Sequence, residues 1–397
     1  MKKGKEHVKV LFVAYSRSSL GHVVRCATAA ELLVAAGHDT VVACHESVRG
    51  VVESRGIGWR PVREIEPAPS WTGIRDREAL RGFVRGRLAG PEYVSMCLED
   101  ELALIDDHRP DVVVADMRNT ATVAASLRGV PACSLHNLRL FQNPMHVILP
   151  ELLVTLAEVG VGEEHARAVL GDTMLVPDLP LLDPLTEVPA ETMALVASLL
   201  PEIRHVGPIV AADTLRVAAT PRTELPQRRG RDRLVSVLLG GGAWFDTVLD
   251  DLLAALPTDV QAEIVLAREP EGEVTRAYPE RVRVTGFRRD AVDLMRASDA
   301  AVVHGGHGTL GDGLIVGTPM VCVPETMEQE RNGRRVAELG VAEVLSADAL
   351  SDRLGVAVEA ALSAERQEVS ERFAERLRGA ALAGDLVAAV ERSTSLA

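Results

Sequence analysis

The chain has 397 residues, of which 47% are hydrophobic and 25% are charged, and its formal net charge is −14. This length predicts two domains of about 200 residues each, and the composition is that of an ordinary globular protein. The acidic balance argues against binding to nucleic acid or to an anionic membrane surface, because both partners require a basic face.

Cysteine usage and hydropathy indicate the cellular compartment. The five cysteines are odd in number and lack CxxC spacing, which favours reduced thiols over a disulfide framework. The N-terminal apolar run is short and ends in Ser-Arg, so we interpret it as a first strand and not as a signal peptide. No stretch reaches the roughly 18 apolar residues that a membrane span requires. We expect a cytoplasmic protein without a membrane span, as a monomer or a homodimer.

The first half of the chain alternates apolar runs with helical patterns. The run VKVLFVAY is typical of a strand buried on both faces. A helix closed by Gly37, a second strand, a short helix and a third strand follow. This order predicts a parallel sheet with right-handed crossovers. Beyond it we expect a mostly helical segment over residues 64–107, strands in PDVVVADM and PACSLHN with a helix between them, and helices with proline-rich loops over residues 144–204.

A change in composition divides the chain. Residues 213–232 carry prolines and arginines with little periodicity, which indicates a linker. After it the pattern restarts with the buried run LVSVLLGGG and continues as alternating helices and strands to a set of C-terminal helices. The predicted fold class is therefore α/β, with two Rossmann-like parallel-sheet domains over residues 1–212 and 233–397 that face a central cleft. The last helix is a candidate to pack back onto the first domain.

The segment HGGHGT is placed where a buried strand ends and a helix begins. Ligands of open parallel sheets bind at this edge, and unpaired N–H groups and the helix dipole attract an anion there. Gly305, Gly306 and Gly308 would let the main chain approach a ligand, while Thr309 and His304 could donate hydrogen bonds to it. The segment therefore predicts a diphosphate site. A tight turn without a ligand is the alternative, and a metal site lacks a third ligand at suitable spacing.

The longer segment HGGHGTLGDGLIVGTPMVCVPETMEQERNGRRVAELG resembles the donor-binding signature of inverting nucleotide-sugar glycosyltransferases of the GT-B fold. This superfamily contains the UDP-glycosyltransferases and the natural-product glycosyltransferases. Its pattern is His-Gly-Gly-x-Gly-Thr, Gly-x-Pro, a proline that ends the next strand, and Asp-Gln, and the spacing matches from His304 to Gln329 without a gap. The resemblance implies that His304, Gly306, Gly308 and Thr309 contact the diphosphate of the donor, and Gly305 is predicted with them as a donor-binding residue.

The resemblance also implies roles for residues around this loop. Asp312 falls where an acidic residue of plant relatives holds the ribose, and Phe287 in VTGFRRD lies near the position that holds the base. Glu328 and Gln329 fall on the Asp-Gln pair that binds the sugar. Because Glu328 replaces the usual Asp, the identity of the sugar stays open. The predicted donor-binding residues outside the HGGHGT loop are Gly241, Phe287, Arg288, Asp312, Glu328 and Gln329.

A second candidate site lies in AYSRSSLGHVVRC, which follows the first strand and opens a helix. By the resemblance, His22 takes the position of the catalytic base and Asp116 that of the carboxylate that orients it. An imidazole ordinarily titrates near about pH 6.5 and so suits proton removal at neutral pH. As alternatives, His22 is a polar residue of a helix N-terminus, and a nearby serine is an N-cap. Residues predicted to line the acceptor side are Ser18, Ser19, Gly21, His136 and Asn137.

The predicted function is an inverting transfer of a sugar from a nucleotide diphosphate sugar, with UDP or dTDP, to a hydroxyl of a small-molecule acceptor. The setting is antibiotic or other secondary-metabolite biosynthesis. No Asp-x-Asp occurs in the chain, so we expect neither a metal nor a cofactor. Low aromatic content and net acidity favour a polar or aliphatic acceptor, with an amine-bearing molecule preferred and a polyketide or lipid left open.

Two other functions fit the same architecture. A nucleotide-sugar epimerase of this fold would carry Ser-Gly-Gly with paired glutamates at the diphosphate loop, where this chain has HGGHGT. A non-catalytic activator partner would lack either the base or the donor loop, and both are present in this sequence.

Overall fold

The computed structural model describes residues 7–16, 20–66, 74, 77–141, 144–199, 202–228, 233–240, 243–266, 279–286, 288, 290–381 and 385–394. The chain forms two compact units. The first consists of Met1–Ile209 together with Ala383–Ala397, and the second of Val210–Leu382.

The first unit is built on a parallel sheet. Adjacent strands pair in parallel throughout its described part, and Ala14 of the first strand lies opposite Asp116 of the fourth. The strands are β1 (Lys9–Ala14), β2 (Asp39–Cys44), β3 (Gly58–Pro61), β4 (Val112–Asp116), β5 (Ala132–Leu135), β6 (Thr173–Val176) and β7 (Glu202–His205). Their order across the sheet is β3-β2-β1-β4-β5-β6-β7. The order reverses between β1 and β4, which is where open parallel sheets bind ligands.

The central strands of this sheet are buried on both faces. Leu11 and Val13 of β1 belong to one apolar cluster, and Val10 and Phe12 belong to another. Because successive residues of a strand point to opposite faces, a doubly covered strand has the continuous apolar run seen in VKVLFVAY. The helices of this unit up to residue 199 are α1 (Gly21–Ala35), α2 (Arg49–Glu53), α3 (Arg77–Gly86), α4 (Pro91–His108), α5 (Thr120–Leu127), α6 (Met145–Glu158), α7 (Glu163–Ala166) and α8 (Ala190–Leu199).

The second unit repeats this architecture with a smaller sheet. The strands are β8 (Leu234–Leu238), β9 (Gln261–Val265), β10 (Val282–Thr285), β11 (Ala300–Val303), β12 (Met320–Cys322) and β13 (Ala342–Val344). All of these described strands pair in parallel in the order β10-β9-β8-β11-β12-β13, with the reversal between β8 and β11. The helices are α9 (Ala212–Ala219), α10 (Ala243–Ala255), α11 (Ala291–Ala297), α12 (His307–Val316), α13 (Met327–Glu338), α14 (Leu350–Ala361) and α15 (Ala364–Ala381).

The last helix, α16 (Asp385–Ser393), belongs to the first unit. Leu386 and Val390 join the apolar cluster that contains Phe12 of β1. His38 Nε2 lies 3.2 Å from a carboxylate oxygen of Glu391. The chain therefore leaves the first unit, forms the second, and returns to the first.

The α/β class with two parallel-sheet domains is confirmed, and three details differ from the expectations. Strands β6 and β7 fall at segment 144–204, which was expected to hold helices and proline-rich loops, and β13 was not predicted either. Much of segment 213–232, expected to be a linker, is instead part of the second unit. Its helix α9 packs on α11 and α12, and Arg222 donates to the carbonyl of Gly317 at 2.8 Å.

Candidate functional site

The first candidate site forms where β1 and β4 end. Asp116 is the last residue of β4, and His22 lies in the first turn of α1, the helix that follows β1. His22 Nδ1 lies 2.8 Å from Asp116 Oδ1. The carboxylate is fully buried, whereas the imidazole is 18% exposed. The predicted base and its predicted partner are therefore in hydrogen-bond contact, with the imidazole accessible to solvent.

The turn after β4 directs its side chains to different neighbours. Met117 has φ of 56°, in the left-handed region that non-glycine residues rarely adopt. Asp116, before it, contacts α1, while Arg118, after it, donates to Glu101 of α4 at 2.7 Å. Asn119 donates to His136 Nε2 at 3.1 Å. This turn therefore separates the acidic partner of His22 from a second buried network.

Asp116 also binds a residue that the sequence analysis did not single out. Arg25 lies one helical turn beyond His22 and donates through Nε and Nη2 to the two carboxylate oxygens, each at 2.7 Å. Its remaining nitrogen, Nη1, donates to Asn137 Oδ1 at 2.6 Å. A possible signal was the i, i+3 spacing from His22, which places both side chains on neighbouring parts of one helix face.

Charge determines the protonation of this cluster. Burial by itself would raise the pKa of Asp116, but Arg25 and His22 outweigh burial and hold that pKa well below its ordinary value. Asp116 is therefore ionised and accepts hydrogen bonds only. It follows that His22 Nδ1 carries the proton of the neutral imidazole and Nε2 carries the lone pair.

His136 and Asn137 directly follow β5, and both are buried. Burial lowers the pKa of His136 to about 3, so its ring is uncharged at neutral pH. Nε2 of His136 faces the amide of Asn119, while His136 Nδ1 and Asn137 Nδ2 have no hydrogen-bond partner among the residues that the structure describes. Asn119 was not predicted. The structure thus makes His136 and Asn137 neighbours of the His22 cluster and not part of its exposed surface.

The second candidate site forms where β11 ends and α12 begins. Gly305 has φ of +85°, and a Cβ there would lie 2.6 Å from the carbonyl oxygen of Gln329. Gly306 is the N-cap of α12, and a Cβ there would lie 2.4 Å from His304 Nε2. Gly305 therefore requires glycine, and a side chain at Gly306 would displace the ring of His304. Since Gly306 has no side chain, it provides no side-chain cap for the first turn of the helix, the place where anions bind.

The hydrogen bond of His304 restricts the role expected for it. His304 Nδ1 lies 3.2 Å from the carbonyl oxygen of Leu238 in β8, and a carbonyl can only accept. Burial lowers the pKa of His304, and the hydrogen bond to Leu238 and the charges of Glu328 and Glu325 offset this lowering only in part. The neutral ring therefore presents a lone pair at Nε2. Donation from His304 to a phosphate oxygen thus requires that the ring take up a proton.

Gln329 has a structural role at the start of α13. The Thr326 side chain accepts from the backbone N–H of Gln329 at 3.3 Å, and Gln329 Oε1 accepts from the N–H groups of Glu325 and Thr326. This reciprocal pair is a capping box. Only the amide nitrogen of Gln329 is left for a sugar. Glu328, half-buried, lies close enough to His304 to influence its pKa.

The other residues predicted to bind the donor lie in several parts of the second unit or outside the described residues. Gly308 and Thr309 are in the first turn of α12, and Asp312 follows in the same helix. Arg288 is held by ion pairs with Glu263 and Asp290 at 2.8 and 2.7 Å, so its charge is compensated within the protein. Four predicted residues lie outside the described part of the chain: Ser18, Ser19, Gly241 and Phe287.

Three further observations concern the described residues as a whole. Among the residues that the structure describes, no group of three or more His, Cys, Asp or Glu side chains is arranged to hold a metal ion. None of the described helices is long and apolar enough to cross a membrane. All five cysteines are buried with free thiols.

Comparison with known proteins gives consistent matches. Residues 250–388 match the family model of the erythromycin biosynthesis protein CIII-like C-terminal domain. An uncharacterized glycosyltransferase of Methanosarcina mazei is 27% identical over 334 residues, which cover 82% of this chain and 83% of the relative. The structure of the calicheamicin glycosyltransferase CalG4 superposes with a TM-score of 0.72 at 18% identity, covering 98% of this chain and 99% of the other. The spinosyn rhamnosyltransferase SpnG, complexed with thymidine diphosphate, gives a TM-score of 0.67 at 17% identity and covers 98% of each chain.

The fold and these relatives define the class of the protein. The chain is a glycosyltransferase with the GT-B fold. Within that class it is similar to natural-product glycosyltransferases. The comparisons favour this activity over the epimerase alternative.

Proposed function

We propose that the protein transfers a sugar from a nucleotide diphosphate sugar to a hydroxyl of a small-molecule acceptor, with inversion at the anomeric carbon. The contact of 2.8 Å between His22 and ionised Asp116 carries this proposal. Because Asp116 holds the proton on Nδ1, the lone pair on Nε2 is free to take a proton from the acceptor. The acceptor oxygen would then displace the nucleotide diphosphate in one step, through a transition state with oxocarbenium character.

The loop after β11 would receive the leaving diphosphate. Two observations support this loop as the diphosphate site. Gly305 and Gly306 carry no side chains where the loop meets α12, and the dipole at the N-terminus of α12 favours negative charge. His304 would stabilise that charge once it is protonated. We propose that these groups act without a resident metal or cofactor. The thymidine diphosphate bound by SpnG supports dTDP as the donor nucleotide, with UDP as the other candidate.

The acceptor is proposed to be a small, polar or aliphatic intermediate of a secondary metabolite. The names of the matched proteins support this class, since they refer to erythromycin, calicheamicin and spinosyn. We further propose that the protein works in the cytoplasm.

A thermal-shift panel tests donor binding. The protein is heated with dTDP, UDP or GDP, and with the corresponding nucleotide sugars. A nucleotide present at 100 times its Kd adds about 2.7 kcal/mol to the free energy of unfolding, and we expect this effect for dTDP. A panel in which no nucleotide moves the melting temperature contradicts the proposed function.

Substitution of the base tests the chemical step. We expect His22→Ala to keep nucleotide binding and to reduce kcat about 10²- to 10⁴-fold, the usual contribution of a general base. Transfer is followed by chromatography of the glycosylated product, and binding by the same thermal-shift assay. Full turnover in the variant would remove His22 as the base.

A further inference from the structure

Arg25 shares the carboxylate that holds His22. Its planar guanidinium donates to both oxygens of Asp116 at 2.7 Å and is fixed at its third nitrogen by Asn137 at 2.6 Å. Such two-point contacts of arginine with a carboxylate are strong and directional. The Arg25 side chain is only 9% exposed, so solvent screens its charge little.

The positive charge of Arg25 also lies beside the imidazole. Arg25 Nη2 is 3.4 Å from His22 Nδ1, and both atoms approach the same oxygen of Asp116. Since Nδ1 already donates to that oxygen, a second proton would have to bind at Nε2. That step places a cation next to the guanidinium, and like charges at this distance disfavour it.

We propose that Arg25 is a positioning residue that offsets the charge of Asp116 and thereby keeps His22 uncharged, and able to act as a base, at lower pH than a His–Asp pair alone would. This inference rests on the proposed function for its catalytic meaning. Arg25 contacts neither reacting atom and acts through Asp116 and His22.

Other titratable side chains face His22 and Asp116 from each neighbouring element. From α1, Cys26 faces Asp116 at 3.9 Å, and burial raises the pKa of its thiol, which stays protonated. From the end of β5, His136 stays neutral because burial lowers its pKa to about 3. From the end of β1, Tyr15 meets His22 edge to face with ring centroids 6.2 Å apart. Arg25 and Asp116 hold their opposite charges throughout.

The test is an NMR titration of the histidine ring carbons in ¹³C-histidine-labelled full-length protein, with the His22 signal assigned from His22→Ala. We expect the titration midpoint of His22 in Arg25→Gln to lie about one pH unit above that of the unmodified protein. Arg25→Lys keeps the charge, so its midpoint should stay within about 0.3 units. The acid limb of log kcat/KM should move upward by the same amount in Arg25→Gln.

Arg139→Gln is the matched control, since Arg139 is a buried arginine of the same unit that faces two aspartates, Asp178 and Asp183. It should lower the melting temperature and leave the His22 midpoint unchanged. If Arg25→Gln does not fold, Asn137→Asp tests the same charge effect, because a carboxylate beside Arg25 should also raise the midpoint.

The inference is overturned if Arg25→Gln titrates like the unmodified protein, or if Arg25→Lys shifts the midpoint as far as Arg25→Gln does. The titration requires no turnover. A raised midpoint in a protein that transfers no sugar would therefore support the charge effect of Arg25 while contradicting the proposed function.

Discussion

Two buried titratable side chains of the first unit, His136 and Glu101, have folded-state pKa values far from their ordinary ones. Burial lowers the pKa of His136 to about 3. Burial raises the pKa of Glu101 to about 7 even though Arg118 opposes the shift. Between about pH 4.5 and 6.5 the unfolded chain therefore binds a proton at His136 that the folded chain does not, and the reverse holds for Glu101.

This difference predicts how acid stability depends on His136. The pKa of His136 is lower in the folded chain than in the unfolded chain. The free energy of unfolding is therefore highest above about pH 6.5 and falls by about 1.4 kcal/mol per pH unit as the pH drops towards 3. We expect His136→Gln to remove that loss, so that the free energy of unfolding of the variant falls less between pH 6.5 and 5. Urea unfolding of both proteins at several pH values measures it. Glu101 is present in both proteins, so its opposite slope cancels in the comparison, and parallel curves would contradict the prediction.

Single residues also show how far sequence reasoning reaches. The resemblance proposed His22 and Asp116 as a pair, and the structure places them 2.8 Å apart. Arg25 was not predicted, because its partners Asp116 and Asn137 are 91 and 112 residues away in sequence. Long-range partners of a charged residue follow from the strand order and not from the local pattern.

At the scale of elements, the N-terminus of α12 allows a direct test of diphosphate binding. A Cβ on Gly308 would meet no described atom within 4 Å, and the same holds for Gly311 one turn later. If a diphosphate lies against the first turn, Gly308→Ala should weaken nucleotide binding about tenfold without loss of stability. Gly311→Ala is the control and should keep affinity while gaining about 0.5–1 kcal/mol, since alanine favours helix. Isothermal titration calorimetry with dTDP compares them, and equal affinities would place the diphosphate elsewhere.

The N-terminus of α13 separates a capping role of Gln329 from a sugar-binding role. Glutamate also completes a capping box, so Gln329→Glu should leave the melting temperature nearly unchanged. The variant loses the amide N–H donors, so kcat/KM for the nucleotide sugar should fall about tenfold while affinity for the free nucleotide diphosphate stays the same. Steady-state kinetics and calorimetry measure the two quantities. Unchanged kinetics would mean that Gln329 is a capping residue only.

The glycines of the HGGHGT loop were predicted from the sequence to let the main chain approach a ligand, and that role stays a prediction. The structure shows a reason within the protein instead, because a Cβ at Gly305 would clash with the carbonyl of Gln329 and a Cβ at Gly306 with the ring of His304. That packing could not be inferred from the sequence, because it depends on where α13 starts relative to the end of β11.

For the whole molecule, the return of the chain to the first unit has a measurable consequence. Leu386 of α16 is 4% exposed in the apolar cluster of that unit. Leu386→Ala should therefore cost about 2–5 kcal/mol and speed hydrogen exchange in α1 and β5, which contact α16. Exchange in α12 and α13 should stay unchanged. Val356→Ala, at a position 73% exposed, is the control and should change stability by less than about 0.5 kcal/mol.

Uniform exchange acceleration in both units would contradict this assignment, because it would mean that the units do not unfold separately. Hydrogen exchange in Leu386→Ala also tests whether α9 belongs to the second unit. Since α9 packs on α11 and α12, its amides should remain protected together with those of the second unit.

The sequence by itself determined the fold class, the two parallel sheets and the two segments that carry the candidate sites. Strands that are buried on both faces and strand ends rich in glycine can be recognised from a short stretch of sequence, without knowledge of their tertiary contacts. Only the tertiary structure decided that Arg25 joins Asp116, that Arg288 pairs with Glu263, and that α16, on sequence grounds only a candidate, packs on the first unit. These contacts join residues far apart in the chain, and the folding of the two sheets brings them together. The capping box of Gln329 is different, because it is a local Thr-x-x-Gln pattern that the sequence already contained.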